Sequence, residues 1–218
     1  MILPETTLFP GMTLPLRIFE PRYRRMLTDV LEGERMFAIA LRNPKAKGDT
    51  PMSIGTIGLV SRSIEQPDGT SLLMLLGLTR VQFLGPVRLR PYRIETIRGI
   101  ASPPADAEAL ALARKVRALV RKRVKHGFDL GIPMPADPEQ AQQFSSMQAL
   151  ANASFQQFGK HLSSIKCPEQ LADLIASTLI GDPLARQMLL ATPAVEDRLR
   201  RLHQLLLSTE FPPSSPNL

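Results

Sequence analysis

The sequence predicts an α+β protein in which a small β-barrel of about six strands, with one early helix, precedes a helical bundle. Two observations predict this class. Up to residue 98, short apolar or alternating runs are separated by turn residues, which is typical of strands. After residue 106, apolar residues recur at helical spacing over much longer segments. This change of period places a barrel domain at 1–100, a helical domain at 105–210 and an expected flexible tail at 211–218.

Six runs in the first part have the length and composition of strands: 12–19, 35–42, 53–64, 70–77, 78–85 and 91–98. Asp68 and Gly69 separate the third run from the fourth, and an Asp-Gly pair is typical of a tight hairpin turn. Pro15 lies within the first run and has no N–H to donate, which predicts an edge or bulged strand. Glycines in and beside the runs indicate the tight corners of a closed or half-closed barrel.

The predicted helices have recognisable first and last residues. The early helix begins after Glu20, with Pro21 at its first position, and ends before Gly33. Five later helices follow the change of period: 106–126, 138–166, 168–180, 182–190 and 192–208. In the first of these five, apolar residues at helical spacing form one stripe, which predicts packing against other helices: Ala109, Leu112, Val116, Leu119, Val120 and Val124.

Composition and charge restrict the class of protein. The chain has 218 residues and a formal net charge of +7, with one cysteine and no tryptophan. The single Cys167 excludes an intrachain disulfide, and we expect it to be a structural, partly buried thiol. The longest apolar stretches fall far short of the roughly 18 residues of a membrane span, and the N-terminus does not resemble a secretory signal. We therefore expect a cytoplasmic protein with no membrane partner.

No nucleotide, metal or nucleophile motif occurs in the sequence. The one Gly-Lys pair, Gly159 and Lys160, is followed by His161, so no phosphate-binding loop of the G-x-x-x-x-G-K-[ST] type exists. The three histidines fall on three different predicted helices, which disfavours a metal site. The G-x-S-x-G pattern of serine hydrolases is absent as well. We predict no catalytic residue, no cofactor and no metal, and hence a protein that is not an enzyme.

Residues 114–125 contain seven basic side chains and no acidic one. Such a stretch either contacts phosphates of a nucleic acid or forms a solvated helix face, basic where the helix dipole favours cations. If it binds nucleic acid, the candidate contact residues are Arg117, Arg121, Lys122 and Arg123. The absence of tryptophan and the presence of only two tyrosines count against stacking on bases.

The predicted loop 127–138 is unusually apolar. Its apolar side chains either pack against the protein's own core or form an exposed patch for a partner. As candidate partner-binding residues we name Phe128, Leu130, Ile132 and Met134.

The residues 8–27, LFPGMTLPLRIFEPRYRRML, resemble the opening of the LON domain, the N-terminal substrate-binding domain of ATP-dependent Lon proteases. That domain typically has an F-P-G turn, a P-L strand and an I-F-E-P-R-Y helix entry, and all three stand here in that order. Further resemblance lies in IGTIGLV at 54–60, LTRV at 78–81, LADLIA at 171–176 and the E-x-R-L-x-x-L pattern that begins at Glu196.

The resemblance implies a PUA-like β-barrel followed by a helical bundle, and a role in binding unfolded or tagged protein segments. A protease or a chaperone is then a further expected partner. The residues of the Lon ATPase and Ser-Lys protease modules are absent from this sequence, so we expect a stand-alone LON-domain protein without proteolytic activity. The alternative is RNA binding, because PUA-like barrels often bind RNA.

Overall fold

A computed structural model describes residues 1–126 and 137–208 of the chain. Within them lie six strands: β1 (Ile2–Leu3), β2 (Thr13–Ile18), β3 (Met36–Leu41), β4 (Ile54–Glu65), β5 (Ser71–Arg88) and β6 (Ile94–Ile100). The same residues form six helices: α1 (Pro21–Glu32), α2 (Ala107–His126), α3 (Pro138–Ser164), α4 (Pro168–Leu179), α5 (Pro183–Leu190) and α6 (Val195–Ser208). The α+β class and all six predicted helices are confirmed.

Two predicted strands are one continuous strand in the structure. The runs 70–77 and 78–85 were expected to be separate, but β5 extends through both of them. The register between β4 and β5 shifts next to Gly58, which pairs with Gly77, so a bulge absorbs the irregularity and the strand continues. Strand β1 was not predicted, because two residues are too few to show a pattern.

The sheet is open, so the predicted barrel is wrong. Its strand order is β1-β3-β4-β5-β2, and β6 pairs with the far half of β5. Strand β4 covers one edge of β5, while β2 and then β6 share the other edge along its length. Closure would require the two ends of this order to pair, and within residues 1–126 and 137–208 β1 pairs with β3 and β2 with β5. Strand β1, with two residues, also has little edge to offer.

Contacts divide the chain into two compact units. The first comprises residues 1–104 together with 173–194, and the second comprises 105–172 together with the segment from 195 onwards. The predicted domains 1–100 and 105–210 stay a prediction as independent folding units. In the contact division, however, the second half of α4 and all of α5 belong with the sheet.

The first unit has its core between α1 and one face of the sheet. The helix begins with Pro21 at its first position, as expected, and buries Tyr23, Met26 and Leu27. The inward residues of β5, Leu73 and Leu75, are 4% and 0% exposed. Further along the same strand, a side chain at Gly77 would collide with the backbone carbonyl of Phe9, which explains why the position has no Cβ.

Helix α2 is the centre of the second unit, where it packs against α3 and α6. One stripe of α2 is fully or almost fully buried, and it consists of small and branched side chains: Ala109, Ala113, Val116, Val120 and Val124. The stripe repeats every three to four residues, as the sequence predicted. How all the later helices are ordered as a bundle stays a prediction.

Two smaller sequence-based expectations have definite outcomes. Cys167 is exposed, so the prediction of a partly buried thiol is wrong. It lies immediately before α4, where its carbonyl accepts a hydrogen bond from the N–H of Leu171, and a residue at this capping position has its side chain outside the helix. None of the helices in the described part of the chain is both long and apolar enough to cross a membrane.

Candidate functional site

One face of the sheet carries apolar side chains that no other element of the first unit covers fully. Along β5, Leu73 and Leu75 point into the core, and Leu72 and Met74 therefore point to the opposite face. Leu72 pairs with Ile64 of β4, and Met74 pairs with Pro15 of β2. We call the surface formed by Pro15, Ile64, Leu72 and Met74 the outer sheet surface. Ile64, Leu72 and Met74 are 43%, 46% and 36% exposed, so the surface is both apolar and accessible.

Strand β2 borders this surface and is an edge strand. Among the described residues its strand partner is β5, which takes one of its two edges. Pro15 lies within β2, as the sequence predicted for an edge strand, and the prediction is confirmed. The remaining N–H and C=O groups on the other edge are available to an extended chain. The alternating exposure of β2 places Thr13, Pro15 and Arg17 on the same face as the outer sheet surface.

A fixed, charged turn closes one end of the outer sheet surface. The β4–β5 hairpin turns at Asp68 and Gly69, as predicted, and Gly69 has the positive φ of 73° that such a turn requires. Asp68 Oδ1 accepts hydrogen bonds from the N–H and the hydroxyl of Thr70, at 2.9 and 2.7 Å. These bonds, and then the Arg17 guanidinium at 3.2 Å, hold the pKa of the Asp68 carboxyl below its usual value. The Asp68 carboxyl is therefore ionised at neutral pH, so this end of the surface carries a negative charge beside Arg17.

Of the outer sheet surface, the sequence singled out Pro15 alone, as the mark of an edge strand. A signal for the other residues exists, because in the stretch 72–76 every residue is apolar. Strand alternation then places apolar side chains on both faces of the sheet, and an antiparallel sheet commonly leaves one face exposed.

The candidate partner-binding residues Phe128, Leu130, Ile132 and Met134 lie outside the described residues. Their role stays a prediction.

The candidate nucleic-acid residues lie together on α2, and most of them are engaged within the second unit. Arg117 donates to the carbonyl of Ile165, and Arg121 donates to the hydroxyl of Ser163 at 2.9 Å. Arg123 donates to the carbonyl of Leu206, and partial burial lowers the pKa of its guanidinium. Lys122 is exposed. Three of the four side chains thus connect α2 to segments of its own unit.

A buried ion pair stabilises the first unit behind the sheet. Arg80 of β5 and Asp173 of α4 are 2% and 1% exposed, and their guanidinium and carboxylate are 2.6 Å apart. The Nε of Arg80 also donates to the carbonyl of Leu190, the last residue of α5, at 3.0 Å. A charge at this depth is tolerated only when it is paired and hydrogen-bonded, so the pair fixes α4 and α5 on β5.

The family model of the ATP-dependent protease La (LON) substrate-binding domain matches residues 1–208. Because this match covers nearly the whole chain, the protein belongs to that family. The resemblance seen at residues 8–27 is thereby confirmed.

Curated relatives agree with this assignment. The chain is 31% identical over 212 residues to Lon protease 2 of Herpetosiphon aurantiacus, covering 95% of this chain and 23% of that protein. It is 26% identical over 204 residues to the Lon protease of Dictyoglomus thermophilum, covering 91% of this chain and 22% of that protein. The chain thus spans less than a quarter of the length of these relatives.

Two solved structures share the fold. The N-terminal domain of the Mycobacterium avium complex Lon protease superposes with a TM-score of 0.67 at 17% identity, over 96% of this chain and 97% of that one. The Lon N-terminal domain protein from Xanthomonas campestris gives a TM-score of 0.57 at 20% identity, with the same coverage of both chains. The fold is therefore that of a Lon N-terminal domain.

Proposed function

We propose that the protein is a non-enzymatic recognition module that acts in the cytoplasm and captures unfolded or tagged segments of other proteins. The observation that carries the proposal is the outer sheet surface, an exposed apolar face bordered by the free edge of β2. Membership of the LON substrate-binding family supports the same class of ligand. A protease or a chaperone that receives the captured segment is part of the proposal.

The two features suit an extended polypeptide for a physical reason. A segment that adds to β2 satisfies its backbone through the free N–H and C=O groups of that edge. Every second side chain of the segment then lies on the face that carries Pro15, Leu72 and Met74. Most of the backbone and apolar side chains of a folded protein are already paired or buried, whereas an unfolded segment exposes both along its length, so this geometry favours unfolded segments.

The loop residues Phe128, Leu130, Ile132 and Met134 are retained in the proposal as a second apolar contact for the same segment. Nucleic-acid binding is not carried forward. The guanidinium groups of Arg117, Arg121 and Arg123 already donate to groups of their own unit, which weighs against a phosphate-binding stripe on α2.

The decisive experiment changes the outer sheet surface without touching the core. In the double variant Leu72→Ser with Met74→Ser, we expect the dissociation constant for a reduced, carboxymethylated model protein to rise at least about tenfold. Fluorescence anisotropy of the labelled model protein measures it. The melting temperature should change little, because both side chains are exposed. Leu150→Ser is the matched control, since Leu150 lies on α3 and is 69% exposed.

An unchanged affinity in the double variant, with a loss in Leu150→Ser, would contradict the proposal. The contribution of the β2 edge is tested separately on the ligand. A bound segment is synthesised with N-methyl groups on alternate backbone nitrogens, in each of the two registers. One register should lose affinity and the other should retain it, because an added strand directs only alternate N–H groups towards β2.

A further inference from the structure

A cavity of about 480 Å³ lies in the first unit, separate from the outer sheet surface. Its volume falls within the roughly 300–1,000 Å³ of small-molecule sites. Helix α1 contributes Met26 and Val30 to its wall, and the sheet contributes Ile57 and Phe83. None of the four residues of the outer sheet surface lines it. The cavity therefore offers a mostly apolar wall and shares no lining residue with the proposed protein-binding face.

One polar atom in this wall lacks a partner. Glu95 of β6 lines the cavity, and its side chain is 9% exposed. Its Oε1 accepts a hydrogen bond from Arg93 Nε at 2.5 Å, but its Oε2 is buried and receives no hydrogen bond from the residues that the structure describes. Leaving a buried acceptor of this kind unsatisfied costs about as much as a lost hydrogen bond, so the atom favours a ligand that brings a donor.

The charged side chains of the cavity cancel one another. Arg22 is paired with Asp49 at 2.5 Å, and Arg93 is paired with Glu95. Arg93 also donates to the backbone carbonyl of Asp49, which joins the two pairs. Met1 also lines the cavity, and burial lowers the pKa of its amine to about 5, so the amine is uncharged at neutral pH. Two cationic and two anionic side chains then leave no net charge, so the cavity does not favour a charged ligand over a neutral one.

We propose that this cavity is a small-molecule site for a neutral, apolar compound that donates one N–H hydrogen bond to Glu95 Oε2. The apolar body of the ligand lies against the wall formed by α1 and the sheet. The inference is independent of the proposed capture of protein segments, because the two sites share no residue.

Indole and 1-methylindole form a matched pair of probes, since they differ only in that a methyl group replaces the N–H hydrogen. The chain has no tryptophan, so indole fluorescence excited beyond the tyrosine absorption band reports binding without background. We expect the protein to bind indole at least about tenfold more tightly than 1-methylindole, because only indole can satisfy Oε2.

The variant Glu95→Gln tests directly whether Oε2 accepts a hydrogen bond from the ligand. Arg93 Nε donates to Oε1, so the amide nitrogen of the glutamine takes the place of Oε2 and presents a donor where an acceptor stood. We expect this variant to lose the preference for indole while its affinity for 1-methylindole stays within about twofold. Glu65→Gln is the matched control, because Glu65 is exposed at the end of β4 and lies outside the cavity, and it should retain the preference.

A second variant tests whether the probes bind inside the cavity, independently of the hydrogen bond to Glu95 Oε2. Val30→Phe fills part of the cavity from α1 and should weaken both probes equally. If Val30→Phe fails to fold, the comparison of Glu95→Gln with Glu65→Gln tests the proposal by itself. Equal affinities of the two probes for the unaltered protein would overturn the proposal, since a water would then satisfy Oε2. Failure of indole to bind up to its solubility limit would overturn it as well.

Discussion

Removing Asp173 should destabilise the first unit severely, because it leaves the Arg80 guanidinium buried without its carboxylate. The two side chains are 1% and 2% exposed and lie 2.6 Å apart. Breaking a buried pair by deleting one partner costs about 3–5 kcal/mol, which is a large share of the roughly 5–15 kcal/mol that stabilises a typical domain. We therefore expect Asp173→Ala to lower the free energy of unfolding by about 3–5 kcal/mol.

Urea unfolding followed by far-ultraviolet circular dichroism measures the change. The matched control is Glu108→Ala, which deletes the carboxylate of the exposed ion pair with Arg200 and should cost only about 0–1 kcal/mol. The double variant Arg80→Met with Asp173→Leu removes both charges and should recover much of the loss, because no charge then stays buried. A cost below about 1 kcal/mol for Asp173→Ala would refute the reasoning, since it would mean that water reaches Arg80 in solution.

Other changes have equally definite expected outcomes. Gly77→Ala should cost about 1–3 kcal/mol in urea unfolding, because its Cβ meets the Phe9 carbonyl, whereas Gly99→Ala, with open space around it, should be within about 0.5 kcal/mol. Thermal unfolding of Thr56→Val should show a loss of about 1–3 kcal/mol, because the buried hydroxyl donates to the Leu8 carbonyl. In binding assays, the double variant Phe128→Ser with Ile132→Ser should weaken the capture of an unfolded protein. Neutralising Arg121, Lys122 and Arg123 of α2 should weaken it less. The opposite ranking, with strong salt dependence, would favour nucleic acid. Purified protein should neither hydrolyse ATP nor cleave casein, and turnover that survives rigorous purification would contradict this.

The helices could be predicted closely because the residues at their N-termini are recognisable from the local sequence. Proline occupies the first turn at Pro21, Pro138 and Pro183, where its missing N–H has no consequence. Asp137 and Asp182 then accept hydrogen bonds from the exposed N–H groups that follow. These signals lie within four residues of one another, so a single sequence contains them fully.

The positions of most strands were predicted, but the way in which the strands join and pair into a sheet was not. The run 70–77 was expected to end at Gly77, yet the bulge beside Gly58 lets β5 continue. Closure of the sheet depends on which edges of β5 are shared, and this is a property of the whole sheet rather than of any run of residues. The barrel was predicted from the number of short strands, from the glycines in and beside them and from the resemblance to LON domains, and it proved wrong.

The candidate site was the least predictable part for the same reason. Sequence reasoning favoured residues that look unusual locally, such as the basic stretch of α2 and the apolar loop. The outer sheet surface instead brings together β2, β4 and β5, and apart from Pro15 none of its residues is unusual in its own segment. Arg80 and Asp173 both lie in stretches that resemble LON domains, but they are 93 residues apart, and nothing in the sequence pairs them.

The division of the first unit into two separate stretches of chain sets the order in which it can be completed during synthesis. Strand β5 leaves the ribosome with Arg80 long before Asp173 and the Leu190 carbonyl exist. Until then the Arg80 guanidinium stays hydrated, and the sheet lacks the later helices that pack on it. We expect a nascent chain arrested at residue 104 to be digested readily by protease and one arrested well beyond residue 194 to be resistant. The sheet of this protein is therefore made first, but its unit is complete only after residues 173–194 have been synthesised.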